Sequence, residues 1–131
     1  MSKPVLLILD GLFYAFHTVL ILFNVFGWIP KRTRRLNLAC LFVTAVSWFV
    51  MGLWRGIGYC VVTDWHWQVR RALGIHDAEG SFLELFIRKV TGWHAPPNLV
   101  AFSAAAIFLA AITASIIVNL RSPSGADFAT Q

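Results

Sequence analysis

Three long apolar runs constrain this chain more than any other feature: residues 5–29, 36–62 and 98–120. A helix of about 20 residues crosses the hydrocarbon of a bilayer, so each run is long enough to span with some tilt. Of the 131 residues, 58% are hydrophobic and 13% are charged. A soluble domain holds roughly 45–50% apolar and 25% charged residues, so the composition excludes an ordinary soluble domain. The runs predict an all-α integral membrane protein with three transmembrane helices, forming one domain over residues 1–121. Residues 122–131 read as a polar C-terminal tail. The first run lacks a charged leader and a small-residue cleavage site, so it reads as a retained helix.

The formal net charge is +5. Four of the basic residues, Lys31, Arg32, Arg34 and Arg35, lie in one short cluster between two apolar runs. That pattern anchors a loop in headgroups, and nucleic acid is not an expected partner. The cluster favours a cytoplasmic loop, with the N-terminus and residues 63–97 outside. Pro30 is expected to stop the first helix.

The polar residues of the first run are not scattered. Asp10, Tyr14, His17, Ile21, Asn24 and Trp28 recur at steps of four and three, on one stripe of a helix. The second run carries its own stripe: Asn37, Cys40, Thr44, Ser47, Met51, Trp54 and Gly58. The two stripes are expected to face each other in a helical hairpin. Arg55 lies in apolar surroundings and must snorkel, pair or face water. If the two helices are antiparallel about the 31–35 connection, Asp10 falls opposite Arg55 and His17 opposite Trp48. An Asp10–Arg55 ion pair is therefore expected, because each charge lowers the other's penalty. Cys40 and Cys60, read on one helix, stand ~30 Å apart at 1.5 Å per residue and cannot form a disulfide with each other.

Residues 63–97 hold eight formal charges, four of each sign, and do not read as a span. Two short amphipathic helices at the interface are predicted there, lying flat or capping the bundle. The first is capped by Thr63 or Asp64, presents Trp65, Val69, Ala72 and Leu73 on its apolar face, and ends at Gly74. The second starts at a Ser81–Glu84 capping box, buries Phe82, Leu85, Phe86 and Val90, and ends at Gly92. In the third run, Ala106, Ala110 and Ala114 form a small-residue ladder suited to close helix packing.

The pieces 16–28 (FHTVLILFNVFGW) and 58–67 (GYCVVTDWHW) resemble a family of small bacterial inner-membrane proteins, domain-of-unknown-function family 2784. The motif residues here are Tyr59, Cys60, Thr63, Asp64, Trp65 and His66. The resemblance implies three or four helical segments, with a histidine in the first helix. It supplies no activity, cofactor or substrate. Val61 stands where the family often has proline, so the second helix is expected to run on past Cys60.

Asp64, His66, His76, Asp77 and His94 are dispersed and lack ligand pairing, so no metal site is expected. No cofactor is predicted. A quinone, lipid or haem near Tyr14, His17, Trp48 and Arg55 is the alternative, by the logic of a few polar groups in an apolar cleft. His17 is the one histidine within a predicted span, so a haem would need a second copy of the chain. No nucleophile motif is visible. The leading function is an accessory or structural membrane subunit that packs against other membrane proteins or itself. A redox-associated module is the second reading, and a small transporter or membrane enzyme the third.

Overall fold

The computed structural model describes residues 2–55, 60–76 and 81–121, with Arg55 described by its backbone alone. The elements are α1 (Lys3–Phe26), a 3-10 turn (Lys31–Thr33), α2 (Arg34–Arg55), α3 (Val61–Ala72), α4 (Phe82–Thr91) and α5 (Pro97–Arg121). No strand occurs among the described residues. Three helices are long and apolar enough to cross a membrane: Lys3–Phe26, Pro97–Arg121 and the stretch Lys31–Trp54. Their outward surfaces are apolar, with Leu22, Phe49, Phe102 and Leu109 all more than half exposed.

The first helix ends earlier than expected, at Phe26 and not at Pro30. The cause is a side-chain cap. Asn37, fully buried at the start of α2, donates from Nδ2 to the carbonyl oxygens of Phe23 at 2.7 Å and Asn24 at 3.4 Å. The Phe23 oxygen also accepts from Gly27 N–H at 2.8 Å, so the Asn37 amide adds to the bonds that close the last turn of the helix. Gly27 makes room: a Cβ there would lie 2.7 Å from Asn37 Nδ2. Thr33 Oγ1 then donates to the Gly27 oxygen at 2.7 Å, and Arg34 Nε to the Trp28 oxygen at 3.1 Å.

The α1–α2 hairpin is joined by polar contacts at this end. Asn24 Nδ2 donates to Thr44 Oγ1 at 3.0 Å. Further along, the helices part company. The second helix is described as far as Arg55, and Cys60 is extended (φ −122°, ψ 163°) at the head of a separate helix, so one helix does not run through Val62 as expected. Val61 N–H donates to Ser47 Oγ at 3.3 Å. Ser47 lies eight residues before Arg55, so α3 begins ~12 Å back along α2 at 1.5 Å per residue. From there α3 runs antiparallel to α1: Cys60 and Thr63 lie beside His17, and His66 and Arg70 beside Asp10.

The inward face of α3 also differs from the predicted one. Trp65 is 55% exposed, while Thr63, His66, Trp67 and Arg70 are buried. The partner decides this. α3 packs against the polar stripe of α1, so Thr63, His66 and Arg70 turn inward beside Trp67, Trp65 and Ala72 turn out, and Val69 and Leu73 are half-buried. The helix closes in a Schellman motif, with Ile75 N–H on the Arg70 oxygen and Gly74 N–H on the Arg71 oxygen. Gly74 has φ +79°, as that motif requires.

α4 forms as the sequence predicts. Ser81 and Glu84 make the capping box, and Gly92 ends the helix at φ +77°. Phe82 and Leu85 are buried, but Val90 points outward. α5 packs chiefly on α2, where Phe108 meets Trp48 at 4.8 Å, and it buries Ala111 and Ser115. Asn119 Nδ2 ties its far end to the Arg34 oxygen at 3.0 Å.

Candidate functional site

Spacing places the site. Asp10, Tyr14 and His17 share a stripe of α1, and Cys60, Thr63, His66 and Arg70 recur at steps of three and four on α3. Antiparallel packing zips the two stripes together, and Phe82 at the start of α4 closes the side.

Towards the N-terminal end of α1 the centre is Asp10. His66 Nε2 lies 2.7 Å from Asp10 Oδ1, and Arg70 Nη1 lies 3.2 Å from the same oxygen. A carboxylate only accepts, so the ring donates its Nε2 hydrogen. Arg70 also donates to Tyr14 Oη at 3.2 Å. The Lys89 ammonium stands 4.5 Å from the Tyr14 ring centroid, a cation–π distance. The His66 ring is 1% exposed and stacks between Phe13 at 5.3 Å and Trp67 at 5.8 Å. Burial pushes the His66 ring below its usual pKa of 6.5, the Asp10 bond and charge oppose this, and Arg70 and Lys89 add to the lowering. A neutral ring bonded to the carboxylate is the state this geometry favours.

Two turns deeper, His17 meets the head of α3. Its Nε2 is 3.4 Å from both Cys60 Sγ and Thr63 Oγ1. Thr63 N–H also donates to Cys60 Sγ at 3.4 Å, so the thiol is the N-cap of α3. Thr63 Oγ1 is 3.0 Å from the same sulfur. Phe82 lies flat on the His17 ring, at 4.3 Å and 7°. His17 is 5% exposed, and its Nδ1 is buried with no hydrogen-bond partner among the described residues.

The structure thus gathers Asp10, Tyr14, His17, Cys60, Thr63 and His66, all singled out in the sequence, into one cluster. Trp48 is not part of it and faces α5. The side chain of Arg55, and with it the expected Asp10–Arg55 pair, lies outside the described residues, as do Tyr59 and Asp77. Asp10 is held by α3. Asp64 accepts from Gln68 at 2.9 Å, and Trp65, His76 and His94 are exposed. No group of three or more His, Cys, Asp or Glu side chains is placed to hold a metal among the described residues. Both cysteines are free thiols. Sequence reasoning missed Arg70 and Phe82 as site residues. The signal was present: Arg70 continues the 63–66 spacing of α3, and Phe82 heads the capping-box helix.

The cluster can do two things chemically. It clasps α3 and α4 to α1, and it holds a thiol against an imidazole in a water-poor setting. No curated protein and no solved structure matches the chain. Residues 7–120 match the family model described as Protein of Unknown function (DUF2784), which covers both the α1 stripe and the α3 head, and the chain belongs to that family.

Proposed function

We propose that this protein is a small multi-pass membrane protein of a bacterial inner membrane, acting as an accessory or structural subunit that packs against another membrane protein or a second copy of itself. One observation carries the reading. α5 meets its own chain through Val100, Phe108, Ala111 and Ser115, while Ala106 and Ala110 of the small-residue ladder are exposed. A face of small residues lets another helix backbone approach closely, which is how helices gain dispersion contacts in lipid. The polar stripe of α1, by contrast, is occupied within the chain by α2 and α3. The basic cluster at 31–35 favours N-terminus-outside insertion.

The test is association in the native membrane. Mild extraction followed by native mass spectrometry is expected to give a complex or an oligomer, and Ala110→Leu to disperse it. A monomer in both proteins would overturn the subunit reading.

A ligand-binding reading gains support from one feature alone, the unpartnered Nδ1 of buried His17. A quinone or lipid carbonyl could accept from it. Haem fits less well, because His17 Nε2 is engaged by Cys60 and Thr63 and Phe82 covers one ring face.

A further inference from the structure

The turn between α1 and α2 carries more structure than a charged loop resting on headgroups needs. Each carbonyl oxygen from Phe23 to Trp28 accepts a hydrogen bond. Asn37 Nδ2 donates to those of Phe23 and Asn24. Trp28 Nε1 donates to the Val25 oxygen at 2.8 Å, and Ile29 N–H to the Phe26 oxygen at 3.1 Å. Thr33 Oγ1 and Arg34 Nε take the oxygens of Gly27 and Trp28. Carbonyl oxygens at a helix C-terminus carry partial negative charge and repel an anion, so covering them removes that repulsion. The same bonds fix the backbone that bears Lys31, Arg32, Arg34 and Arg35.

The far end of the chain adds a fifth cation. Asn119 Nδ2 donates to the Arg34 oxygen at 3.0 Å, which sets the end of α5 against the start of α2. Arg121 follows two residues later, and Lys31, Arg32, Arg35 and Arg121 are all exposed. The described carboxylates lie elsewhere: Asp10 is clasped by α3, Asp64 bonds Gln68 within α3, and Glu84 caps α4. Next to the cations the surface turns apolar, with Phe26, Ile29, Leu36 and Leu120 each more than half exposed. A phosphate that carries hydrocarbon chains fits both parts, whereas a soluble anion would leave the apolar part unused.

We propose that the 27–35 turn and the end of α5 form one selective site for an anionic phospholipid. The phosphodiester is held among Lys31, Arg32, Arg35 and Arg121, and the acyl chains run along Leu36 and Leu120. Guanidinium groups match phosphate oxygens with paired N–H donors. Because the backbone is already braced, binding has little left to order, and this separates a selective site from a loose electrostatic anchor. The site rests on the membrane reading above and not on the subunit role, since it needs no partner protein.

The experiment places the purified full chain in detergent with equimolar phosphatidylglycerol and phosphatidylcholine and counts bound lipids by native mass spectrometry. Lipids are counted on monomer and oligomer alike, so failure of the subunit reading leaves this result intact. Phosphatidylglycerol is expected to exceed phosphatidylcholine by at least about tenfold, and Arg121→Gln to cut that preference by about fivefold, the share of one basic residue near an anionic surface. Thr33→Val keeps every charge but removes the bonds to the Gly27 and Pro30 oxygens. It is expected to cut the preference by about threefold or more, through lost preorganisation. Equal retention of the two lipids would overturn the proposal. A folded Thr33→Val protein with the wild-type preference would overturn it too, because charge alone would then explain the retention. Displacement of the lipid by millimolar inorganic phosphate would assign the site to a soluble anion and overturn it as well. Should Thr33→Val fail to fold, Arg121→Gln at the exposed end of α5 decides, and an unchanged preference there overturns the proposal.

Discussion

Asp10 and His66 lie 2.7 Å apart, Oδ1 to Nε2, across 56 positions of sequence. That bond, with Arg70 at 3.2 Å on the same oxygen, fixes α3 along α1. The Asp10 and Arg70 side chains are 14% and 8% exposed, so neither charge has water to fall back on. Removing one partner leaves the other buried and uncompensated, which costs about 3–5 kcal/mol. Asp10→Ala is therefore expected to lower stability by that amount in detergent unfolding. Asp10→Asn, which keeps an acceptor for His66 but loses the charge, is expected to fall between the two. A wild-type midpoint for Asp10→Ala would contradict the clasp.

The same contact gives a pH dependence. Burial lowers the His66 pKa in the folded chain below its usual 6.5, so folding favours the neutral ring. The groups facing it are Asp10 from α1, Arg70 from its own helix and Lys89 from α4. The contribution of the neutral ring is complete above 6.5 and is lost as the pH falls below it, because the unfolded chain takes up the proton first. The melting temperature is expected to drop between pH 8 and pH 5, and His66→Gln to flatten that drop. Equal slopes in the two proteins would show that His66 is not the group responsible.

The strength of the Cys60 cap is measurable on its own. Cys60→Ser restores a stronger cap and is expected to keep or raise stability. Cys60→Ala loses the acceptor for Thr63 N–H and is expected to cost about 0.5–2 kcal/mol. Thermal melts of the two variants side by side check this. A serine variant less stable than the alanine variant would mean that the sulfur is held by packing.

At the other end of the hairpin, Gly27 lets the Asn37 amide reach the last carbonyls of α1. Gly27→Ala places a methyl group against that amide. The displaced bonds predict a loss of about 1–3 kcal/mol, read as a lower unfolding midpoint. Asn37→Leu is expected to cost as much, and the two changes together no more than the larger alone, because they break one contact.

Much of this fold was legible in the sequence. Run length gave three helices, the capping box gave α4, and the three–four spacing of Asp10, Tyr14 and His17 showed that α1 turns a polar stripe toward protein. The partner of that stripe was misread. A hairpin rule aligned α1 with α2 over their full length. The extended backbone of Cys60, however, separates α3 from α2, and α3 starts beside Ser47 and takes the N-terminal half of α1 for itself. Nothing local announces this, since Val61 and Val62 continue the apolar run without proline. The inward face of α3 was misread for a related reason. Apolar periodicity points to the core in water, but a helix packed on a polar stripe among apolar surfaces buries Arg70 and His66 and exposes Trp65.

The most direct measurement is a double-mutant cycle on Asp10 and His66, using Asp10→Ala, His66→Ala and the double variant in one detergent. A clasp between α1 and α3 predicts a coupling energy of about 1 kcal/mol or more, with the double variant no worse than the sum of its parts less that amount. Additivity within about 0.3 kcal/mol would contradict it, and α3 would then not be held to α1 by this pair.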